Sequence, residues 1–231
     1  MNTPSPLRSS LRPRGFTLIE VLIVLTLIAM LLFFTVPGLR DVLKGSKLTS
    51  AADQISGDLN LARQAAIKDG MPVEVRFYKF AGLGSSATEE RFGAYQCYRL
   101  AQDLNKPSDY TTERIPKAVF EKVKFIPQGV VLVDSGKWSP LVSEDSIKQG
   151  TERVRGLVPG ERETEASYFS FIISPEGETS LDHSGAKQWY LTFVNESEYQ
   201  KAPNPEALKP KNFITIQVDP YTAHTRRYQP N

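Results

Sequence analysis

Residues 16–36 hold fifteen Leu, Ile, Val or Phe and a single charge, Glu20. Just before them runs a short leader with Arg8, Arg12 and Arg14 and no acid, closed by Gly15. At about 1.5 Å per residue the apolar stretch makes a helix of roughly 31 Å, the thickness of a bilayer core. Its side chains favour insertion by about 5–9 kcal/mol, whereas one carboxylate costs about 3 kcal/mol at the helix centre and less near an end. Insertion wins, and the arginines predict a cytoplasmic N-terminus with the bulk of the chain on the far side. A carboxylate in such a place is costly enough to point to a task.

Three readings of this segment compete. A secretory signal is cut after its apolar region at small residues, and Phe34-Thr35-Val36-Pro37-Gly38 is a poor match. A plain anchor explains the hydrophobicity but neither Gly15 nor Glu20. In the third reading the leader is removed ahead of the apolar run, with Gly15 as the small residue beside the bond and Phe16 as the new N-terminus. The free amine of Phe16 would then be a cation in an apolar setting, and Glu20 of a neighbouring subunit could neutralise it. At 4 Å such a pair is worth about 4 kcal/mol at an effective dielectric near 20, before desolvation. The geometry would set the axial stagger between neighbours.

The register Gly15, Phe16, Thr17, Leu18, Ile19, Glu20 resembles the class III signal of type IV pilins and type II secretion pseudopilins. The resemblance implies a prepilin peptidase that cleaves between Gly15 and Phe16 and N-methylates Phe16. It also implies an assembly role for Glu20 and a helix-bending role for Pro37. Other pilins or pseudopilins and an inner-membrane assembly platform are the implied partners, with exported proteins as a further candidate. The implied place is the bacterial inner membrane, with a periplasmic head able to move into a pilus or pseudopilus.

Beyond Pro37-Gly38 the helical pattern resumes. Leu48, Ala52, Ile55, Leu59, Ala62 and Ala66 fall on one face, and Gly70 and Pro72 close the segment. Period-two alternation then takes over: Val73/Val75/Phe77, the run 92–100 with Tyr95 and Cys97, Val123/Phe125 with 129–133 close behind, Phe169/Phe171/Ile173, Trp189/Leu191/Phe193 and Ile214/Ile216/Val218, with a short extension at 226–228. About seven strands after one long helix predict an α+β fold, a long N-terminal helix packed on an antiparallel β-sheet or β-sandwich head. The chain divides into a leader (1–15), a transmembrane or filament-core helix (16–36), an amphipathic continuation (37–70) and a β-rich head (71–231). Polar stretches at 101–118, 134–166 and 195–212 read as connections. The middle one is long for a compact domain, which predicts a mobile or partner-facing segment.

The head resembles the GspH/FimT type of minor pseudopilin. The segments that carry this are 61–70 leading into the first strand, Phe125-Ile126-Pro127-Gln128-Gly129-Val130, Phe171 to Gly177, and the closing strand Phe213–Asp219 with its tail. The insertion at 134–166 departs from the pattern. Some FimT-like proteins bind DNA through a basic Gly-Arg-x-Arg tail. Here Thr222–Tyr228 keeps Arg226 and Arg227, with Tyr228 able to stack on a base, but lacks the glycine and the first arginine. The +2 overall charge falls to −1 once the three leader arginines are removed, which weighs against a dedicated nucleic-acid binder.

Cys97 is the single cysteine, so the chain can form neither an intrachain disulfide nor a Cys-rich metal site. It reads as a small buried strand residue. His183 and His224 are the two histidines, too few for a His-based centre, and no cofactor is implied. Asp182-His183-Ser184 has triad residue types, but contiguous residues in a turn do not line up as nucleophile, base and orienting acid. Asn195-Glu196-Ser197 fits a glycosylation sequon by chance. Together these readings predict a structural subunit rather than an enzyme.

Overall fold

The structure is a computed structural model that describes residues 16–81, 89–102, 110–119, 122–143, 147–185 and 187–230, without the side chains of 34–42, 102, 110–118 and 143. The leader, Gly15 included, lies outside the described residues. By its contacts the chain separates into two units, 1–43 and 44–231.

Helix α1 (Leu18–Asp69) is assigned without a break through Pro37 and Gly38, where the pattern predicts an interruption. A proline removes one i→i−4 hydrogen bond, and a long helix can tolerate that loss. In the first unit the apolar side chains of α1 stand exposed on every side, from Leu18 to Phe33. Among the described residues no helix is long and apolar enough to cross a membrane. The last residues of the apolar run, 34–36, fall among those whose side chains are outside the description.

In the second unit the six stripe residues predicted from their spacing are all buried, at 2 % exposure or less. The helix ends as the sequence predicts. Gly70 adopts φ +62°, and the Met71 amide donates to the Ala66 carbonyl at 3.2 Å. This is the six-to-one closure of a Schellman turn, which needs a left-handed residue just past the helix.

The strands form two antiparallel sheets. The larger runs in the order β3 (Tyr110–Ala118), β2 (Arg91–Gln102), β1 (Val73–Phe80), β7 (Thr164–Ile173), β6 (Lys148–Val154), with β4 (Lys124–Phe125) paired to β2. The smaller runs β10 (Thr225–Tyr228), β9 (Phe213–Val218), β8 (Tyr190–Asn195), β5 (Val130–Leu132). Inner-face residues of both sheets, among them Val75, Phe77, Phe171, Leu191, Phe193 and Ile216, share one apolar core with the α1 stripe. Cys97 sits in that core as a free, fully buried thiol.

Several connections read from sequence are structured. The stretch 101–118 contains β3, 134–166 contains a helical turn α2 (Pro140–Ser143), β6 and the start of β7, and 195–212 holds a short helix α3 (Glu196–Tyr199) and a 3-10 turn at Pro205–Ala207. β3 and β6 end the larger sheet, and an edge strand with one solvated side carries charge instead of apolar alternation. The residues 123–133, which look like neighbours, serve different sheets: β4 pairs with β2 and β5 pairs with β8.

The outer face of the larger sheet departs furthest from its sequence pattern. Glu74 and Arg76 alternate with Val73, Val75 and Phe77 as solvent-facing residues would, yet they are 1 % and 4 % exposed. Their side chains meet at 2.7 Å. Ser170 donates to Glu74 at 2.8 Å, Glu152 accepts from Arg76 at 3.0 Å, and the Tyr168 ring stacks 4.2 Å from the guanidinium carbon. A buried ion pair needs its other donors and acceptors served, and these contacts serve most of them, with Arg76 Nε left without a partner. The sequon at Asn195 is also buried, at 5 % exposure at the end of β8, which agrees with a chance match.

Two polar seams flank the buried stripe of α1. On one side the Tyr95 hydroxyl donates to Asp58 at 2.6 Å and accepts from Gln54 at 3.1 Å, and Arg99 meets Asp69 at 2.7 Å. Burial, then the Asp58 carboxylate that it serves, push the Tyr95 hydroxyl well above the usual phenol range, so it stays a donor. On the other side Ser56 donates to Thr225 at 2.9 Å and Arg63 to the Thr222 carbonyl at 2.6 Å. Replacing Asp58 by Ala strands the buried tyrosine donor. The Asp58→Ala variant is expected to lose about 1–3 kcal/mol of stability in urea unfolding, while Leu61→Ala on the exposed side of α1 stays within about 0.5 kcal/mol.

Candidate processing and assembly site

The N-terminal site is built from the first turn of α1. Thr17 stands directly before the helix. Its Oγ1 accepts the Glu20 backbone N–H at 3.3 Å, and its carbonyl accepts from Val21 at 3.2 Å. This is how an N-cap threonine closes a helix end whose first amides have no partner within the helix. Thr17-x-x-Glu20 is also the spacing of a capping box, a signal readable in the sequence that the reading of Glu20 as an intermolecular partner passed over. Glu20 lies in the first turn, where the helix dipole favours a negative charge.

Phe16 is 81 % exposed and Glu20 is exposed as well. Both stand at the same helix end, on backbone fixed by the Thr17 cap. Within the apolar run, Thr26 Oγ1 donates to the Ile23 carbonyl at 2.8 Å. Its hydroxyl is thereby satisfied inside the helix, which suits an apolar surrounding.

Residues 11–36 match the family described as the prokaryotic N-terminal methylation motif. The chain carries a class III prepilin signal. The matched residues include Gly15, Phe16 and Glu20, which are the positions read from the sequence as cleavage, methylation and assembly residues. A search of curated proteins finds no match. Among solved structures, 80 % of this chain aligns with 98 % of the minor pseudopilin EpsH from the type 2 secretion system of Vibrio cholerae, at 10 % identity and a TM-score of 0.37. Likeness at that level decides nothing by itself.

The tail residues singled out for DNA contact sit on β10, the outer strand of the smaller sheet. They have different surroundings. Arg227 is paired with Asp53 of α1, the Tyr228 hydroxyl donates to Gln217 at 3.0 Å, and Arg226 borders a cleft of about 200 Å³ beside Gln217 and Tyr221. Of the two arginines, Arg227 is therefore engaged in holding the tail to the helix. Asp182 accepts from both the backbone and the hydroxyl of Ser184, at 2.9 and 2.8 Å, which lowers its pKa. The His183 ring lies 3.0 Å from the Pro220 carbonyl. The serine hydroxyl is committed to the acid and the imidazole Nε2 to the Pro220 carbonyl, so these contacts do not make a relay of the three.

Removing the cap exposes its worth. Thr17→Ala is expected to raise amide hydrogen exchange at Glu20 and Val21 about fivefold, corresponding to about 1 kcal/mol, with exchange in the Ile55–Ala66 segment unchanged.

Proposed function

We propose that this chain is a minor pseudopilin, a structural subunit of a type II secretion pseudopilus or a related pilus-like assembly. Prepilin peptidase removes residues 1–15 between Gly15 and Phe16 and methylates the new terminal amine. Residues 16–36 hold the protein in the bacterial inner membrane with the head, 71–231, in the periplasm. Pro37 is the position at which α1 bends. The protein then leaves the membrane for the growing assembly, driven by a separate ATPase and received by sibling pseudopilins on an inner-membrane platform. Exported proteins are candidate partners of the head.

The observation that carries this reading is the N-terminal methylation motif over residues 11–36. The capped helix end supports it, since Thr17 fixes the turn from which both the Phe16 amine and the Glu20 carboxylate project. In this reading Glu20 neutralises the terminal amine of an adjacent subunit, and the energetic gain lies in relieving two charges that lipid would otherwise leave unpaired. The DNA-uptake reading through Arg226, Arg227 and Tyr228 is not favoured. Its two-arginine contact is weakened by the engagement of Arg227 with Asp53.

Mass spectrometry of the protein extracted from its native host's membranes is expected to show a chain that begins at N-methylated Phe16; a fully active protein that retains Met1–Gly15 sinks the proposal. Glu20→Ala removes the carboxylate and Glu20→Gln removes its charge alone, and both keep the backbone N–H that Thr17 caps. Both variants are expected to insert and to be processed, and both to fail to co-assemble. Assembly by Glu20→Gln at the native level would show that the charge is not needed.

A further inference from the structure

Lysines from two elements gather where the second unit begins. Lys44 and Lys47 are exposed on α1, at a spacing that puts them on the same side of the helix. Lys209 and Lys211 are exposed on the loop that leads into β9. Gly45 and Asn212 bring the two pairs together, since a side chain built at Gly45 would meet Asn212 Nδ2 at 3.6 Å. The buried stripe of α1 starts just beyond, at Leu48.

The loop is held by the head. Asn204 Oδ1 accepts the Ala207 amide at 2.8 Å, Leu208 is buried with Val131, Val133 and Val194, and the Lys211 amide donates to Glu198 at 3.1 Å. Lys209 and Lys211 therefore project from fixed backbone. The side chains of Lys47, Lys209 and Lys211 make no hydrogen bond or ion pair among the described residues. The acids on the same elements are engaged elsewhere: Glu198 with that amide, Glu206 with the Ser135 hydroxyl, and Asp53, the next acid along α1, with Arg227. Cations grouped in this way favour an anionic surface.

Chain length says which surface lies within reach. Lys44 stands eight positions past Val36, the end of the apolar run. At 1.5 Å per residue that is about 12 Å of helix, and a tilt or a bend at Pro37 only lowers the height it spans. A headgroup layer takes up about 5–7 Å of this. Lys44 is left at most about 7 Å above the headgroups, inside the Debye length of about 8 Å at physiological salt. The Cα–Cβ bonds of a helix tilt toward its N-terminus, so Lys44 and Lys47 lean back along α1 toward the apolar run. Lys209 and Lys211 sit beside the same turn through Asn212.

We propose that Lys44, Lys47, Lys209 and Lys211 form a contact surface for anionic phospholipid headgroups in the leaflet from which α1 emerges. The loop before β9 rests on those headgroups while the protein waits in the membrane, which limits the tilt of the head. This inference rests on the reading of residues 16–36 as the membrane-held segment. It concerns neither the processing of the leader nor Glu20.

Cys97 is fully buried, so a donor dye can be placed selectively on Ala207→Cys, an exposed position two residues before Lys209. The full-length protein is reconstituted into vesicles of phosphatidylcholine, or of phosphatidylcholine mixed with phosphatidylglycerol, each carrying a headgroup-labelled acceptor. Energy transfer is expected to be about twofold higher in the mixed bilayer and to return to the phosphatidylcholine level in high salt. Lys209→Glu combined with Lys211→Glu, both at exposed sites and so compatible with folding, is expected to abolish the difference. Equal transfer in the two bilayers, a difference that survives high salt, or one unmoved by the charge reversal would overturn the proposal and leave the membrane reading standing. Protein that floats with neither kind of vesicle would overturn the membrane reading, and the proposal with it.

Discussion

The head is organised around the burial of one stripe on α1. Leu48, Ala52, Ile55, Leu59, Ala62 and Ala66 enter a core to which both sheets contribute. Half of the stripe is alanine, which lets the helix backbone approach closely, and the bulk comes from Phe77, Phe169, Phe171, Phe193 and Trp189 on the sheet side. In a folded protein most helical stability comes from packing of the apolar face rather than from intrinsic propensity. Burial of each large apolar side chain is worth about 1.5–3 kcal/mol, so the upper part of α1 is helical chiefly because the sheets cover it. The two sheets in turn share no strand, and the helix stripe is part of the core that joins them.

An apolar stripe alone leaves a helix free to rotate or slide by a turn. The polar seams remove that freedom, since a hydrogen bond is lost within a few tenths of an ångström and apolar contact is not. Asp58 and Gln54 fix the helix to β2 through Tyr95, and Ser56 and Arg63 fix it to the tail through Thr225 and Thr222. The tail strand therefore closes the smaller sheet and also locks the helix. This second duty accounts for Arg227 on β10 without a nucleic acid, because it meets its acid on α1.

What the sequence made legible follows from periodicity. The α1 stripe, the Gly70 stop, Cys97 in the core and the inner-face alternation of β1, β7, β8 and β9 all carry strong apolar spacing, and burial matches it. The misses share one physical cause: polar residues in places where hydropathy predicts solvent or loop. β6 reads as loop because Lys148, Gln149, Glu152 and Arg153 dress an edge. Glu74 and Arg76 alternate with apolar residues as exposed ones would, while the buried ion pair they form depends on Ser170, Glu152 and Tyr168, which are remote in sequence. The split of 123–133 between two sheets depends on pairing partners that local pattern does not name. At the N-terminal site, Gly15, Phe16 and Glu20 were legible as a motif, whereas the Thr17 cap was legible only as a spacing and was overlooked.

The place of Glu20 in α1 bears on how the proposed pairing would work. In the proposed membrane-held monomer a carboxylate five positions past Gly15 is costly, yet the first turn of α1 lowers that cost, because the helix dipole favours an acid there. In the proposed assembly, pairing with a neighbour's terminal amine then competes against an acid that the dipole already favours rather than a bare one. The net gain per subunit is accordingly smaller than the Coulomb figure for an isolated pair. A modest, local preference suits the proposed subunit, which sits in a membrane before it assembles, because an acid with no local support would be driven to protonate or to leave the apolar phase. On this view the first-turn position of Glu20 tunes the energy difference between the waiting monomer and the assembled neighbour, and the charge supplies its sign.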